Sequence, residues 1–226
     1  MVLKFETLDG TVIYMGVDKY ENEKLIKWGL PCDIWFHVDD LSSAHVYLRL
    51  ARGPNLRKFK ETGRLDHLPV ALADCIQLVK ANSIEGSKQS KVAIVYTPWE
   101  NLKKSGDMAV GQVGFHDLKK VITVPHVERD REALSRLNKT RVMEDKHEND
   151  LQAERHAYDR EIILLKRERA RIEAKERLQQ REAFDKEKYD KSYDRIFEHM
   201  TEETVKPKIK ATEDAKAAVE FEEDFM

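Results

Sequence analysis

Apolar residues in the first 126 positions come in short alternating or β-branched runs, whereas in the last hundred they are sparse and set among charges. Residues 2–6 and 11–15 read as two strands joined at Leu8-Asp9-Gly10, since Asp-Gly is a strong hairpin signal. Asp18 is placed to cap a helix reaching about Trp28, with Leu25 and Trp28 on one face and Gly29 at its end. Residues 33–38 (DIWFHV) read as a buried strand, and residues 44–50 (AHVYLRL) as its hairpin partner. Residues 52–67 look polar and loop-like. A second helix follows, with Asp66 as its expected cap, Pro69 in its first turn and a wide apolar face through Val79. Residues 91–97, 110–115 and 119–124 complete the strands. About six strands and two helices without regular alternation predict an α+β domain with a mostly antiparallel sheet and two packed helices.

The pattern changes after residue 126. Residues 128–199 contain neither Gly nor Pro, and residues 166–190 are dense in Glu, Lys, Arg and Asp. Opposite charges stand four apart at Glu173 and Arg177 and at Glu182 and Lys186, which supports a helix. Leu151, Tyr158, Leu165 and Ile172 recur every seven residues, but the companion positions hold Glu154, Glu161 and Glu168. The seam is half-formed, so a long charged single helix and a coiled coil both remain open. The expected organisation is a domain over 1–126, a charged helix or coiled coil over 127–200, and a disordered acidic tail over 201–226 ending in FEEDFM.

Composition sharpens this division. All nine glycines precede residue 115, and the three tryptophans precede residue 100. Charged residues make up 36% of the chain, yet the net charge is only −2. Any basic surface must therefore come from placement rather than from the total. Cys32 and Cys75 lack metal-type spacing and read as reduced, buried thiols. The N-terminus has no apolar leader, and no run approaches a membrane span. The expectation is a cytoplasmic or nuclear protein, with membrane or surface association left open.

No phosphate-loop, dinucleotide, nucleophile-elbow or zinc-protease motif occurs. Ser42, Ser43, His37, His45 and Asp33 gather near the central hairpin, but the sequence supplies no oxyanion hole, and two histidines are too few for a closed metal site. The expectation is a protein that is not an enzyme and needs no cofactor or metal. The stronger constellation is basic and aromatic. Lys19, Lys24 and Lys27 lie on the first helix. Trp35, His37, His45, Tyr47 and Arg49 lie on the hairpin, and Lys103 and Lys104 follow Trp99. Such cations neutralise phosphates, while aromatic rings and histidines stack on exposed bases or hydrogen-bond to them.

Several runs, taken in order, resemble the NFACT-R domain family: residues 16–27 (GVDKYENEKLIK), 33–38 (DIWFHV), 43–48 (SAHVYL), 95–99 (VYTPW) with Leu102-Lys103-Lys104, and 111–115 (GQVGF). One such domain followed by a charged helix is similar to the small single-domain members of that family. The resemblance implies an RNA-binding surface at Lys19, Asn22, Asp33, Trp35, His37, His45, Lys103 and Lys104, with DNA also open as a ligand. Larger members often have Gly before the histidine of the second hairpin strand, where this chain has Ala44. Larger members also act on stalled ribosomal subunits, but through a further module that these residues do not match. The reading is therefore a nucleic-acid-binding adaptor with ribosomes or associated proteins as partners and a homodimer through the helix as one option. The alternative is a protein-interaction module working through the helix.

Overall fold

The computed structural model describes residues 1–191, and the expectations for 192–200 and for the acidic tail lie outside them. The alternating runs form one seven-stranded sheet. Its strands are β1 (Val2–Glu6), β2 (Val12–Gly16), β3 (Asp33–Val38), β4 (Val46–Arg49), β5 (Val92–Pro98), β8 (Ile122–Val127) and β9 (Val142–Glu144). The order is β8-β5-β3-β4-β2-β1-β9, and every pairing is antiparallel. A small ribbon pairs β6 (Leu102–Lys103) with β7 (Gly114–Phe115). The α+β expectation with a mostly antiparallel sheet therefore holds.

Alternation sorts the sheet's two faces. Ile13, Ile34, Phe36, Leu48 and Ile94 point into one core, which is completed by α2 (Pro54–Thr62), α3 (Pro69–Ala81) and α4 (Arg131–Lys139). Tyr14, Trp35, Tyr47 and Val95 point to the other, where α1 (Lys19–Trp28) contributes Leu25. Register places Tyr47 between Tyr14 and Trp35 across three strands. One face is thus aliphatic and the other aromatic and polar, as the period-two geometry of a strand requires.

Local details depart from expectation where packing decides. Residues 54–62 form helix α2 rather than a loop, because Leu56 and Phe59, three apart, are buried. Pro54 opens that helix, and Gly63 closes it at φ 69°. Leu68, not Asp66, occupies the cap position of α3, and Asp66 pairs with Arg64 instead. The expected strand over 110–115 shrinks to Gly114–Phe115. Gly29 is not in a left-handed cap conformation, as its φ is −57°. It is needed for close approach, since a Cβ there would stand 2.2 Å from Trp99 Nε1. Gly29→Ala is expected to destabilise the domain by about 1–2 kcal/mol, measured by urea unfolding, because the indole must move in a packed site. An unchanged midpoint would refute the contact.

The domain does not end at residue 126. Residues Met1–Ile162 form one compact unit and the chain from Ile163 another. Helix α4 packs on α3 and on β1, and β9 extends the sheet beside β1. The buried Asp74 of α3 receives both guanidinium nitrogens of Arg136 from α4. Helix α5 (Glu148–Asp190) begins inside this unit, with Leu151 buried against the aromatic face and Tyr158 packed on the aliphatic core. Leu151 and Tyr158 are thus spent on the domain, which leaves only Leu165 and Ile172 of the seven-residue series exposed. In the second unit every described residue, 163–191, is exposed. Arg181–Asp185 and Lys191–Glu187 are ion pairs among its described residues, and the two pairs read from the sequence are not formed there.

Candidate nucleic-acid interface

The start of α1, the β3–β4 turn and the loop over residues 110–113 surround an open groove of about 1110 Å³. Asp18 caps α1 by accepting the amides of Tyr20 and Glu21, both at 2.8 Å. This fixes the helix with Lys19 on the rim. Asn22 is buried, and its carbonyl oxygen accepts the Gly16 amide at 3.3 Å, so it joins β2 to α1. His37 and His45 enter from the hairpin, and Arg141 from the segment between α4 and β9.

The two histidines rest on Trp35, which is buried beneath the groove. The His37 ring stacks on the indole at 5.4 Å with an interplanar angle of 4°. Its Nδ1 lies 2.7 Å from the Val38 carbonyl and so donates to it. Trp35 Nε1 donates to His45 Nδ1 at 2.9 Å, which requires that nitrogen to carry no proton. The His45 proton therefore sits on Nε2. Burial first, and then the neighbouring His37 and Lys104, push the His45 pKa down to about 3, against the opposing pull of Gly111. Burial also lowers that of His37. Both rings are neutral near pH 7.

The loop that supplies Gly111 is itself held in place. Lys104 Nζ donates to Glu23 at 2.7 Å and to the carbonyls of Ala109 and Gln112 at 2.8 Å each. The same Glu23 oxygen accepts the Gly111 amide, and Gly111 adopts φ 83°, a region open to glycine. Lys104 thus has all three protons engaged and serves as the fastening of the loop.

The predicted residues fall into separate groups. Lys19, Asn22, His37 and His45 line the groove, and Trp35 underlies it. Lys24 pairs with Glu21 at 2.7 Å. Lys27 pairs with Glu148 at 2.8 Å, and Trp28 donates to the same carboxylate. Arg49 binds Asp33 at 2.8 Å and also Glu154. Lys27 and Arg49 therefore receive the first turns of α5. Asp33 is further engaged by the Tyr14 hydroxyl and the Leu30 amide, so no carboxylate orients either histidine from that position. Lys103 is exposed on β6, away from the groove lining. Ser43 Oγ accepts the Val38 amide and donates to the Ala44 carbonyl, which uses it in the turn. Among the described residues no cluster of three His, Cys, Asp or Glu side chains is arranged to hold a metal. Arg141 was missed by sequence reasoning. It stands 104 positions after His37, and nothing in the local pattern links the two.

A sheet domain that presents a lysine and an arginine unpaired among the described residues, with two neutral histidines along the same groove, is built as a binding module. Residues 1–117 match the family described as the NFACT protein RNA binding domain, which supports a nucleic-acid-binding role. Relatives bear the name Coiled-coil domain-containing protein 25. The one from Danio rerio is 52% identical over 150 residues, covering 66% of this chain and 67% of its own length. That from Mus musculus is 53% identical over 149 residues, covering 66% of both chains. The homolog from Dictyostelium discoideum is 48% identical over 161 residues, covering 71% of this chain and 73% of its own length. The chain belongs to the NFACT RNA-binding domain family, on the branch that carries the Coiled-coil domain-containing protein 25 name. The matches span about two thirds of the animal relatives' length. No helix among the described residues is long and apolar enough to cross a membrane.

Proposed function

We propose that the chain is a non-enzymatic RNA-binding adaptor of the cytoplasm or nucleus, which takes a single strand into the groove. The observation that carries this reading is that Lys19, His37, His45 and Arg141 meet in one groove. Lys19 and Arg141 have no carboxylate partner among the described residues and are available to phosphates. His37, held flat on Trp35 and in edge contact with His45, lines the groove where a base would lie, and its neutrality suits stacking and hydrogen bonding rather than charge pairing. Only two cations then contribute to the salt dependence of a short strand. Its slope in log K against log salt is about −1.4, from about 0.7 per neutralised phosphate. Fluorescence anisotropy of the full chain with a short single-stranded RNA tests this. Lys19→Glu is expected to weaken binding and flatten the slope by about 0.7, and His37→Ala to weaken binding without changing the slope. The DNA of the same sequence measures the preference between the two. Binding that is insensitive to salt and to both substitutions would end the reading.

Beyond Ile162, α5 is the adaptor's arm, reaching ribosomes or associated proteins. Its exposed Ile163, Leu164, Leu165, Ile172 and Phe184 support a protein partner, a second copy of the chain included. Partners retained after nuclease treatment would assign the contact to the arm rather than to bound RNA.

A further inference from the structure

We propose that the outer face of α4 is a second contact site for the RNA backbone, continuing the groove past Arg141. The proposal rests on the RNA reading of the groove. A concavity of about 440 Å³ is lined by Arg129, Arg131, Leu134, Ser135, Asn138 and Lys139. Three of these are cations, two are neutral hydrogen-bonding side chains, and none is a carboxylate. Among the described residues Arg129, Arg131 and Lys139 form no ion pair, whereas Arg136 on the same helix is spent on Asp74. The acidic residues nearby in sequence do not neutralise them. Glu128 pairs with Lys91 at 3.0 Å, and Asp130 caps α4 by accepting the amides of Glu132 and Ala133. Glu132, exposed in the first turn, does not line the concavity.

The placement of charge is a second, independent argument. Arg129 precedes the N-terminus of α4 and Arg131 is its first residue. The helix dipole disfavours cations there, so these side chains do not serve the helix. An anionic ligand would reverse that cost. Lys139 ends α4, and Arg141 two residues later lines the groove. Their Cα atoms lie at most about 7 Å apart, so a strand leaving the groove at Arg141 meets Lys139 next.

The test compares RNAs of about 4 and about 12 nucleotides on the full chain, by anisotropy across a salt series. The variant is Arg129→Ala/Arg131→Ala/Lys139→Ala, whose changes are all at exposed positions and whose folding is checked by thermal melting. The longer RNA is expected to bind about tenfold more weakly to the variant, with its salt slope reduced by about 2, while the shorter RNA is unaffected. Equal binding of the longer RNA to variant and wild type would overturn the α4 site and leave the groove reading intact. If Lys19→Glu has no effect on either RNA while the α4 variant weakens the longer one, the groove reading fails and the α4 surface stands as a separate site. An equal loss for both lengths would overturn the continuous path. A DNA of the same sequence, and an acidic peptide of the same net charge, form the comparison arms. Tighter binding of the peptide than of the RNA would overturn RNA as the occupant.

Discussion

Acidification from about pH 7.5 to about pH 5 is expected to remove about 2 kcal/mol of stability through His45 alone. In the unfolded chain this imidazole takes up a proton below its ordinary value of about 6.5. In the folded domain it resists protonation until about pH 3, because it is buried beside His37 and its Nδ1 already accepts the Trp35 indole proton. Between those two values the unfolded state binds more protons. The stabilisation is therefore complete above about pH 6.5 and is lost progressively as the pH falls toward 3. Urea unfolding of wild type and His45→Gln across this range checks it. The variant lacks the titrating group, so its curve should fall less steeply by about 2 kcal/mol over the window, whatever its absolute stability. Parallel curves would mean that His45 is not held neutral by its burial and the Trp35 indole.

Arg136→Ala is expected to cost about 3 kcal/mol, the larger of the two effects. Asp74 lies in α3 with 1% of its surface exposed, and Arg136 is its ion-pair partner, through a two-pronged contact. Removing the guanidinium leaves a buried carboxylate unpaired. Such losses run at about 3–5 kcal/mol, and the partial exposure of Arg136 places this one at the lower end. Arg136→Lys should recover only part of the loss, because an ammonium cannot match both oxygens of the carboxylate. The measurement is the unfolding free energy of residues in α3 and α4 by native-state hydrogen exchange. A change confined to α4 would show that this helix is an appendage rather than part of the domain, contrary to the packing described above.

The strands and α1 were legible in the sequence because period-two alternation and a capping aspartate are local signals. In Ile34-Trp35-Phe36-His37-Val38 the alternation alone separates the aliphatic core from the aromatic face. Helix α2 was not legible, since its two buried residues are outnumbered by exposed lysine, arginine and glutamate. Nor was the domain boundary. Residues 131–144 are as polar as the arm that follows, and only Leu134 and Leu137, seated against the core, mark them as part of the domain.

The same distinction runs through the site. Residue type and order pointed to a nucleic-acid surface and named Lys19, His37 and His45 as members of it. The sequence could not say which cations were already occupied, because pairing depends on partners that folding brings from elsewhere in the chain. Lys27 meets Glu148, Arg49 meets Glu154, and Lys104 is used up by Glu23 and two carbonyls of its own loop. By itself the sequence determined an antiparallel α+β domain, its aromatic face and a charged helix beyond it, all properties of neighbours along the chain. Tertiary structure alone decided which charges remain free, because a cation is available to phosphate only where folding has brought no carboxylate to it. That is why Arg141, read from the sequence as the start of an arm, lines the groove.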